Sequence, residues 1–456
     1  MTMLPPVNQS KLDGKVVIFI GAGSSPDKRS IYETAKELGV RAVVIDGPGS
    51  WAKDMVTDGT IAALYSVSFE ADAAATVGKM VELVRGRVMD EVGAPSGVCT
   101  FFEVAVPVAT RLAQELGLPC NPIEAVEFAR DKHATRRISA GAGLPTPRHH
   151  AIESADDLAA AEAVVGFPAV IKPIGMFQSM GVLRVDGPDE LRAAHALVLK
   201  ELARAQAEAD GTDDYRATVA TLGAKMVLEE FLDGNEQVVD LVFEGGECVF
   251  SSVTDNWPAT RSFESAQGKF NETGSNSPSV LSDAQQAELI ELGVASTKAL
   301  GFKLGVFCLN LKYTSRGARL IEINSRMGGM FVRDHNRLCW GVDLVEMHLL
   351  ATCGLPCNPP KAATPLRCSA GVYTSAEATG TVRNVDVLKE YCLSSPIDFD
   401  YMRPLVSVGD AVVGPLDASD FPTWLCGYML HAPTVEQAIA LAQEVNDTVV
   451  AKVAVA

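Results

Sequence analysis

The chain has 456 residues, 47% hydrophobic and 21% charged, with a net charge of −18. That length supports two to four domains with a sizeable core, and strong acidity without a dense Lys/Arg run argues against a nucleic-acid partner, because phosphate backbones require a basic face. The ten cysteines are scattered, no apolar run is long enough to span a bilayer, and no secretory leader precedes the first apolar run, so the expectation is a reduced, cytoplasmic chain with no membrane partner.

Residues 15–21 (KVVIFIG) form a compact apolar run of the kind buried as a parallel strand, and 41–46 and 97–101 are two more. Helical patterns over 28–38, 71–85 and 104–116 alternate with them, which predicts a Rossmann-like N-terminal domain with helices on both faces of the sheet. Gly21 and Gly23 followed by Asp46 invite a dinucleotide fingerprint, but Pro26 stands where the third glycine belongs, so a tight strand-to-helix turn is the better reading. Asn121-Pro122 ends this domain, 1–121.

Helices are predicted at 123–130, 132–141 and 155–165, with strands near His149 and at 168–173 (PAVIKP). The loop 175–181 (GMFQSMG) is rich in small residues and leads into a strand at 182–185. Such a strand–loop–strand tip can close its backbone N–H groups over an anion, and Lys172 lies just before it. A long helix, 189–209, and a polar insertion, 210–216, complete a second unit, 122–224.

Residues 225–232 (KMVLEEFL) read as a strand running into Asp233-Gly234-Asn235-Glu236. Strands 237–243 and 247–253 alternate around Gly245-Gly246, a hairpin signal. A long polar loop, 255–279, precedes a helix, 283–300, capped by Ser282. The stretch 305–334 (GVFCLNLKYTSRGARLIEINSRMGGMFVRD) then places Glu322, Asn324 and Arg326 on one face of a strand and Ile321 and Ile323 on the other. A three-residue loop centred on Arg316, with Gly317 left-handed, is predicted to set Asn310 opposite Glu322, whereas a two-residue loop would turn Asn310 away. Hard oxygen ligands on a rigid sheet suit magnesium, which completes its shell with phosphate and water; an ordinary amphipathic hairpin is the competing reading. A helix over 342–353 closes a third unit, 225–358. The remainder, 359–456, reads as an α+β domain packing on the preceding core.

Four pieces stand in one order: a lysine before a helix, a lysine on a strand before a Ser/Gly flap, EEFLDGNE, and an ExNxR strand followed by Gly-Gly. Together they resemble the ATP-grasp superfamily of carboxylate–amine ligases, most closely its amino-acid (dipeptide) ligases. The resemblance implies an α/β and α+β architecture in which two α+β subdomains grip ATP behind the Rossmann-like domain. It places Lys132 and Lys172 on the ATP phosphates, Ser179, Met180, Gly181 and Val182 in the flap, and Glu229, Glu230, Phe231 and Leu232 at the adenine, with Glu236 on the ribose. Asn310, Glu322 and Asn324 would hold Mg2+, two ions by the family pattern, with Mn2+ as the alternative. Arg326, Lys172 and Glu322 carry the catalytic roles. Arg326 would steady the transferring phosphoryl group, with the N–H groups of Gly328 and Gly329 nearby. Glu272 would face the substrate amine or a metal, and Arg333, His335 and Asn336 would line the substrate pocket.

The implied reaction is ATP-dependent amide formation through an acyl phosphate. It joins two amino acids, or an amino acid and a small carboxylate, and releases ADP and phosphate. A homodimer is the expected assembly, as the commonest symmetric one. One departure stands out: the family carries a glutamate where this chain has Asn310, so one metal site loses a charge. A degenerate ATP-binding non-enzyme is therefore an alternative, as is an ATP-grasp ligase of another small-molecule pathway such as purine biosynthesis.

Overall fold

A computed structural model describes residues 9–23, 28–70, 72–175, 181–209, 225–257, 272–386, 390–391, 394–414 and 422–452. Strands β1 (Val16–Ile20), β2 (Arg41–Asp46), β3 (Ala63–Ser66) and β4 (Pro95–Cys99) form a parallel sheet in the order β3-β2-β1-β4. All five residues of β1 are buried, as expected for a strand covered on both faces. Ile18 and Ile20 pack towards helices Ala73–Leu83 and Val106–Glu115. Val17 and Phe19 pack towards helix Arg29–Glu37 and, from far along the chain, helix Leu344–Thr352. Strand β3 was not anticipated: only Tyr65 of its four residues is buried.

Strands β5 (His149–Ile152), β6 (Ala169–Pro173), β7 (Leu183–Val185) and β8 (Met226–Glu230) form a second, antiparallel sheet in the order β5-β8-β6-β7. Helices Leu158–Val165 and Pro188–Ala209 bury its apolar face.

The third sheet joins β9 (Glu236–Glu244), β10 (Glu247–Trp257), β11 (Gly274–Ser277), β12 (Gly305–Thr314), β13 (Gly317–Asn324), β14 (Cys368–Ser375), β16 (Phe399–Pro404) and β18 (Trp424–Ala432). Its order is β13-β12-β9-β10-β11-β14-β18-β16. The short β15 (Gly380–Thr381) pairs separately with β17 (Ala411–Val412). Because β11 pairs with β14, the sheet runs unbroken across the boundary expected near 359. Helix Asp283–Ala299, capped by Ser282 as expected, packs Leu289 and Leu292 on the face of β9 and β12 that carries Val239, Leu241, Leu309 and Leu311. No described helix is long and apolar enough to cross a membrane.

The β12–β13 hairpin corrects one expectation. Thr314 pairs with Gly317, so the loop is the two-residue Ser315-Arg316 rather than the three-residue loop predicted. Asn310 nevertheless faces Glu322, because a bulge between the pairs Leu311↔Leu320 and Asn310↔Glu322 gives β13 one extra residue, Ile321. A bulge sets two residues against one and shifts every later pair by one position. It restores the alignment that the shorter loop would have lost.

Candidate active site

Two lysines enter one space from different layers. Lys132 opens helix Lys132–Gly141, whose N-cap Asp131 accepts the Ala134 N–H at 2.8 Å. The Lys132 N–H donates to the Ile174 carbonyl at 3.3 Å, just beyond β6, and its Nζ lies 3.4 Å from Glu322 Oε2. Lys172, buried on β6, puts its Nζ 2.7 Å from Glu229 Oε2. Glu229 is held from the other side by Arg136, with Nε 2.9 Å from Oε1 and a terminal nitrogen 3.1 Å from Oε2. Arg136 is fully buried and also donates to the carbonyl of Ile321, the bulged residue. Burial disfavours charge on Glu229, but Arg136 and Lys172 outweigh it and hold the carboxyl down at about 2. Burial also lowers Lys172, with Glu229 opposing the shift. Sequence reasoning placed Glu229 at the adenine hinge and missed Arg136. The available signal was spacing: Arg136 lies one turn after Lys132, on the same helix face.

The rest of the hinge is held by charge and by backbone. Glu230 is bracketed by Arg148 at 3.0 Å and by Arg316 of the β12–β13 turn at 2.9 Å. Its N–H donates to the Arg148 carbonyl, and that of Phe231 to the Pro168 carbonyl. The Phe231 ring lies 4.4 Å from the Arg184 guanidinium and 5.5 Å from Lys312 Nζ. Lys312 also donates to the Leu232 carbonyl at 3.1 Å. Of the flap, Ser179 and Met180 lie outside the described residues. Gly181 has φ +68° and packs closely on Pro173 and Val198, and Val182 leads into β7.

An acidic face stands opposite the lysines. Asn310 on β12 donates from Nδ2 to Glu236 Oε1 at 2.5 Å. Asn256 on β10 donates to the same oxygen at 3.2 Å and to Glu272 Oε1 at 2.8 Å. Asn324 Nδ2 reaches Asn310 Oδ1 at 3.4 Å. Burial pushes Glu272 up to about 8, and the charges of Glu236 and Glu322 add to the shift. Glu236 is raised too, by burial and then by Glu322 against the opposing Asn310 hydrogen bond. Glu322 moves the other way: burial is outweighed by Lys132, Lys172 and Arg326. Glu236, expected at the ribose, therefore adjoins the predicted metal face through Asn310.

Carboxylate and amide oxygens crowded on adjacent strands, with like charges opposing one another, fit a hard divalent cation such as Mg2+. Among the described residues, no group of three His, Cys, Asp or Glu side chains forms a ready metal cage.

Arg326 closes the site. Its Nε lies 3.0 Å from Glu103 Oε2, in the segment after β4 of the first sheet. Its terminal nitrogens donate to the Met327 carbonyl at 3.0 Å and to Asn324 Oδ1 at 3.4 Å. Gly328 has no room for a side chain, since a Cβ would meet Val332 at 2.6 Å and Cys308 Sγ at 2.8 Å, whereas Gly329 faces open space. Met330 follows with φ 51°. A non-glycine residue held there costs about 1–3 kcal/mol, and such strain clusters at functional corners.

The three residues expected to line the substrate pocket each have partners within the protein. Arg333 makes a two-pronged pair with Asp343, at 2.9 and 2.7 Å, and reaches Thr34 on helix Arg29–Glu37 at 2.5 Å. His335 is fully buried between Ser275 and Ser369, at 2.9 and 2.7 Å. Asn336 is buried between Asp240 and Ser252, at 2.8 and 2.7 Å. Each is already matched to a partner inside the protein. Their sequence position after the double glycine gave no indication of that.

The ATP-grasp domain family matches residues 165–334, and the ATP-grasp N-terminal domain family matches 32–120. Carnosine synthase 1 of Gallus gallus is 31% identical over 435 residues, covering 91% of this chain and 44% of its own length. Alanine–anticapsin ligase of Bacillus subtilis is 25% identical over 281 residues, covering 59% of this chain and 56% of its own length. The chain thus spans less than half the length of the carnosine synthases it matches. The L-amino acid ligase structure from Bacillus licheniformis superposes with a TM-score of 0.75 at 20% identity, covering 95% of this chain and 97% of that one. Family matches, the ordered motifs and the shared fold agree, and the chain belongs to the ATP-grasp superfamily.

Proposed function

We propose that this protein is an ATP-dependent ligase that forms an amide bond between two amino acids, or between an amino acid and a small carboxylate, through an acyl phosphate, releasing ADP and phosphate. The observation that carries the reading is the convergence on one strand: Lys132 and Arg326 flank Glu322 and Asn324, with Lys172 contributing to the same field. A carboxylate is a poor electrophile, because oxide is a poor leaving group. Phosphorylating it gives a group that an amine can displace. Lys132 and Lys172 hold the nucleotide phosphates and, with Arg326, spread the charge that moves with the phosphoryl group. A bound Mg2+ supplies further charge neutralisation at those oxygens; Glu322, Asn324 and Asn310 would hold it, and Glu236 borders them. Glu272 presents its carboxyl group to an incoming amine. Water must be kept from the site during this step, since it would hydrolyse the acyl phosphate.

The similarity to carnosine synthases and to alanine–anticapsin ligase supports an amino-acid partner on at least one side of the bond. The test is ADP release against amino acids offered singly and in pairs, with products identified by mass. Pair-dependent ADP release with a matching dipeptide mass is the expected result. ATP binding without release for any pair refutes the reading.

A further inference from the structure

Amide formation has protons to dispose of. The incoming amino acid arrives as an ammonium, and one proton must leave before its nitrogen has a lone pair. That lone pair then bonds the acyl carbon. The bond from that carbon to the phosphate oxygen breaks with its electron pair, and the nitrogen's second proton leaves on the phosphate. Lysine and arginine side chains are donors, so Lys132, Lys172 and Arg326 do not accept the first proton. Lys132, Lys172 and Arg326 also hold the Glu322 carboxyl low, which makes it a weak base.

Another carboxylate shares the face of the metal residues. Asp240 of β9 pairs in register with Cys308 of β12, which pairs with Asn324 of β13. On its other side Asp240 pairs with Ser252 of β10. Paired residues point to one side of a sheet. Asp240 is fully buried. Its Oδ2 accepts from Asn336 Nδ2 at 2.8 Å, while Oδ1 is buried without a hydrogen-bond partner. Thr254 Oγ1, on the same face of β10, is a second buried atom without one. Thr254 pairs with Val238, two residues before Asp240, and such diagonal neighbours have Cα atoms about 7–8 Å apart. One water with a partner on each side spans that separation and satisfies both atoms. Asn256, the next residue of that face, donates to Glu272 Oε1 at 2.8 Å. Thr254 thus stands between Asp240 and the carboxyl group offered to the amine. Burial raises Asp240 to about 7, against the Asn336 hydrogen bond and the Arg326 charge, a range that suits a base working near neutral pH. Its titratable neighbour in register is the Cys308 thiol, which burial pushes far up.

We propose that Asp240 accepts the proton of the attacking ammonium through a water held by Thr254. This rests on the ligase reading above and supplies the base of its second step.

The experiment offers two nucleophiles to the same acyl phosphate in the wild type, Asp240→Asn and Thr254→Val, with the amino-acid pair that gives the highest ADP release. Hydroxylamine is neutral at pH 7 and needs no base to form a hydroxamate, whereas the amino acid arrives protonated. At pH 7 and saturating amino acid, Asp240→Asn should lose about 100-fold in dipeptide kcat, with hydroxamate formation within about 3-fold of wild type. Its dipeptide rate should then climb about tenfold per pH unit towards pH 9, as hydroxide replaces the missing base, while the wild type levels off. Thr254→Val, which removes one hydroxyl at nearly constant shape, should show the same selective loss at about tenfold. Equal loss for both nucleophiles in Asp240→Asn would mean that Asp240 only braces the fold, and overturns the proposal. So does a dipeptide rate equal to wild type, or a loss that higher pH does not recover. Thr254→Val indistinguishable from wild type overturns the path through Thr254. A wild type that forms neither product refutes the ligase reading and the proton role with it; wild-type hydroxamate keeps the ligase reading whatever the variants do.

Discussion

Replacing Glu229 with Gln tests the buried cluster that holds Lys172. Glu229 sits between Lys172 at 2.7 Å and Arg136 at 2.9 Å, and all three are buried. Holding its carboxyl at about 2 instead of 4.5 corresponds to about 3 kcal/mol of preference for the charged form. Breaking a buried ion pair from one side costs about 3–5 kcal/mol, the same range. Glu229→Gln should therefore lower the apparent Tm at pH 7 by about 6–12 °C, at about 2–4 °C per kcal/mol for a domain of this size. The pH dependence has a defined sign. A carboxylate more acidic in the folded state stabilises fully above 4.5 and loses that contribution as pH falls through about 2. The gap between wild type and Glu229→Gln should accordingly shrink to about half by pH 3. Thermal melts of both proteins at pH 7 and pH 3 are the assay. A gap of about 2 °C or less at pH 7, or one that does not narrow in acid, would refute the reasoning.

Glu322→Ala should reduce ADP release by about a thousandfold or more, since it removes the carboxylate facing Lys132 at the centre of charge transfer; near-normal turnover would sink the metal assignment. Asn310→Glu sets a second carboxylate against Glu236, where the amide now donates at 2.5 Å. It should weaken stability without divalent metal and raise Mn2+ affinity, read by electron paramagnetic resonance; a folded variant indifferent to metal removes position 310 from the site. Arg333→Ala should loosen the first sheet from the third, because Arg333 links Asp343 to Thr34. Faster proteolysis near 121 with unchanged ATP affinity is expected, whereas a selective rise in the KM of an amino-acid substrate would assign Arg333 to the pocket instead.

Much of this protein could be read from its sequence, because local rules determined it. Apolar runs and turn residues gave β1, β2, the β9–β10 hairpin and the Ser282-capped helix. Strand alternation put Glu322, Asn324 and Arg326 on one face, and the ordered motifs led to the ATP-grasp fold. Tertiary structure decided what depends on neighbours distant in the chain. The bulge at Ile321, not the predicted loop, aligns Asn310 with Glu322. Arg136 and Glu229 hold Lys172 across three elements, and Glu103 reaches Arg326 from another sheet. Arg333, His335 and Asn336 lie beside the motif in sequence, yet their side chains are matched to partners elsewhere in the fold. Alternation and spacing fix which way a side chain points from its own strand. They carry no information about which charge arrives from the next layer, and in this site those charges keep Glu229 and Glu322 ionised against their burial.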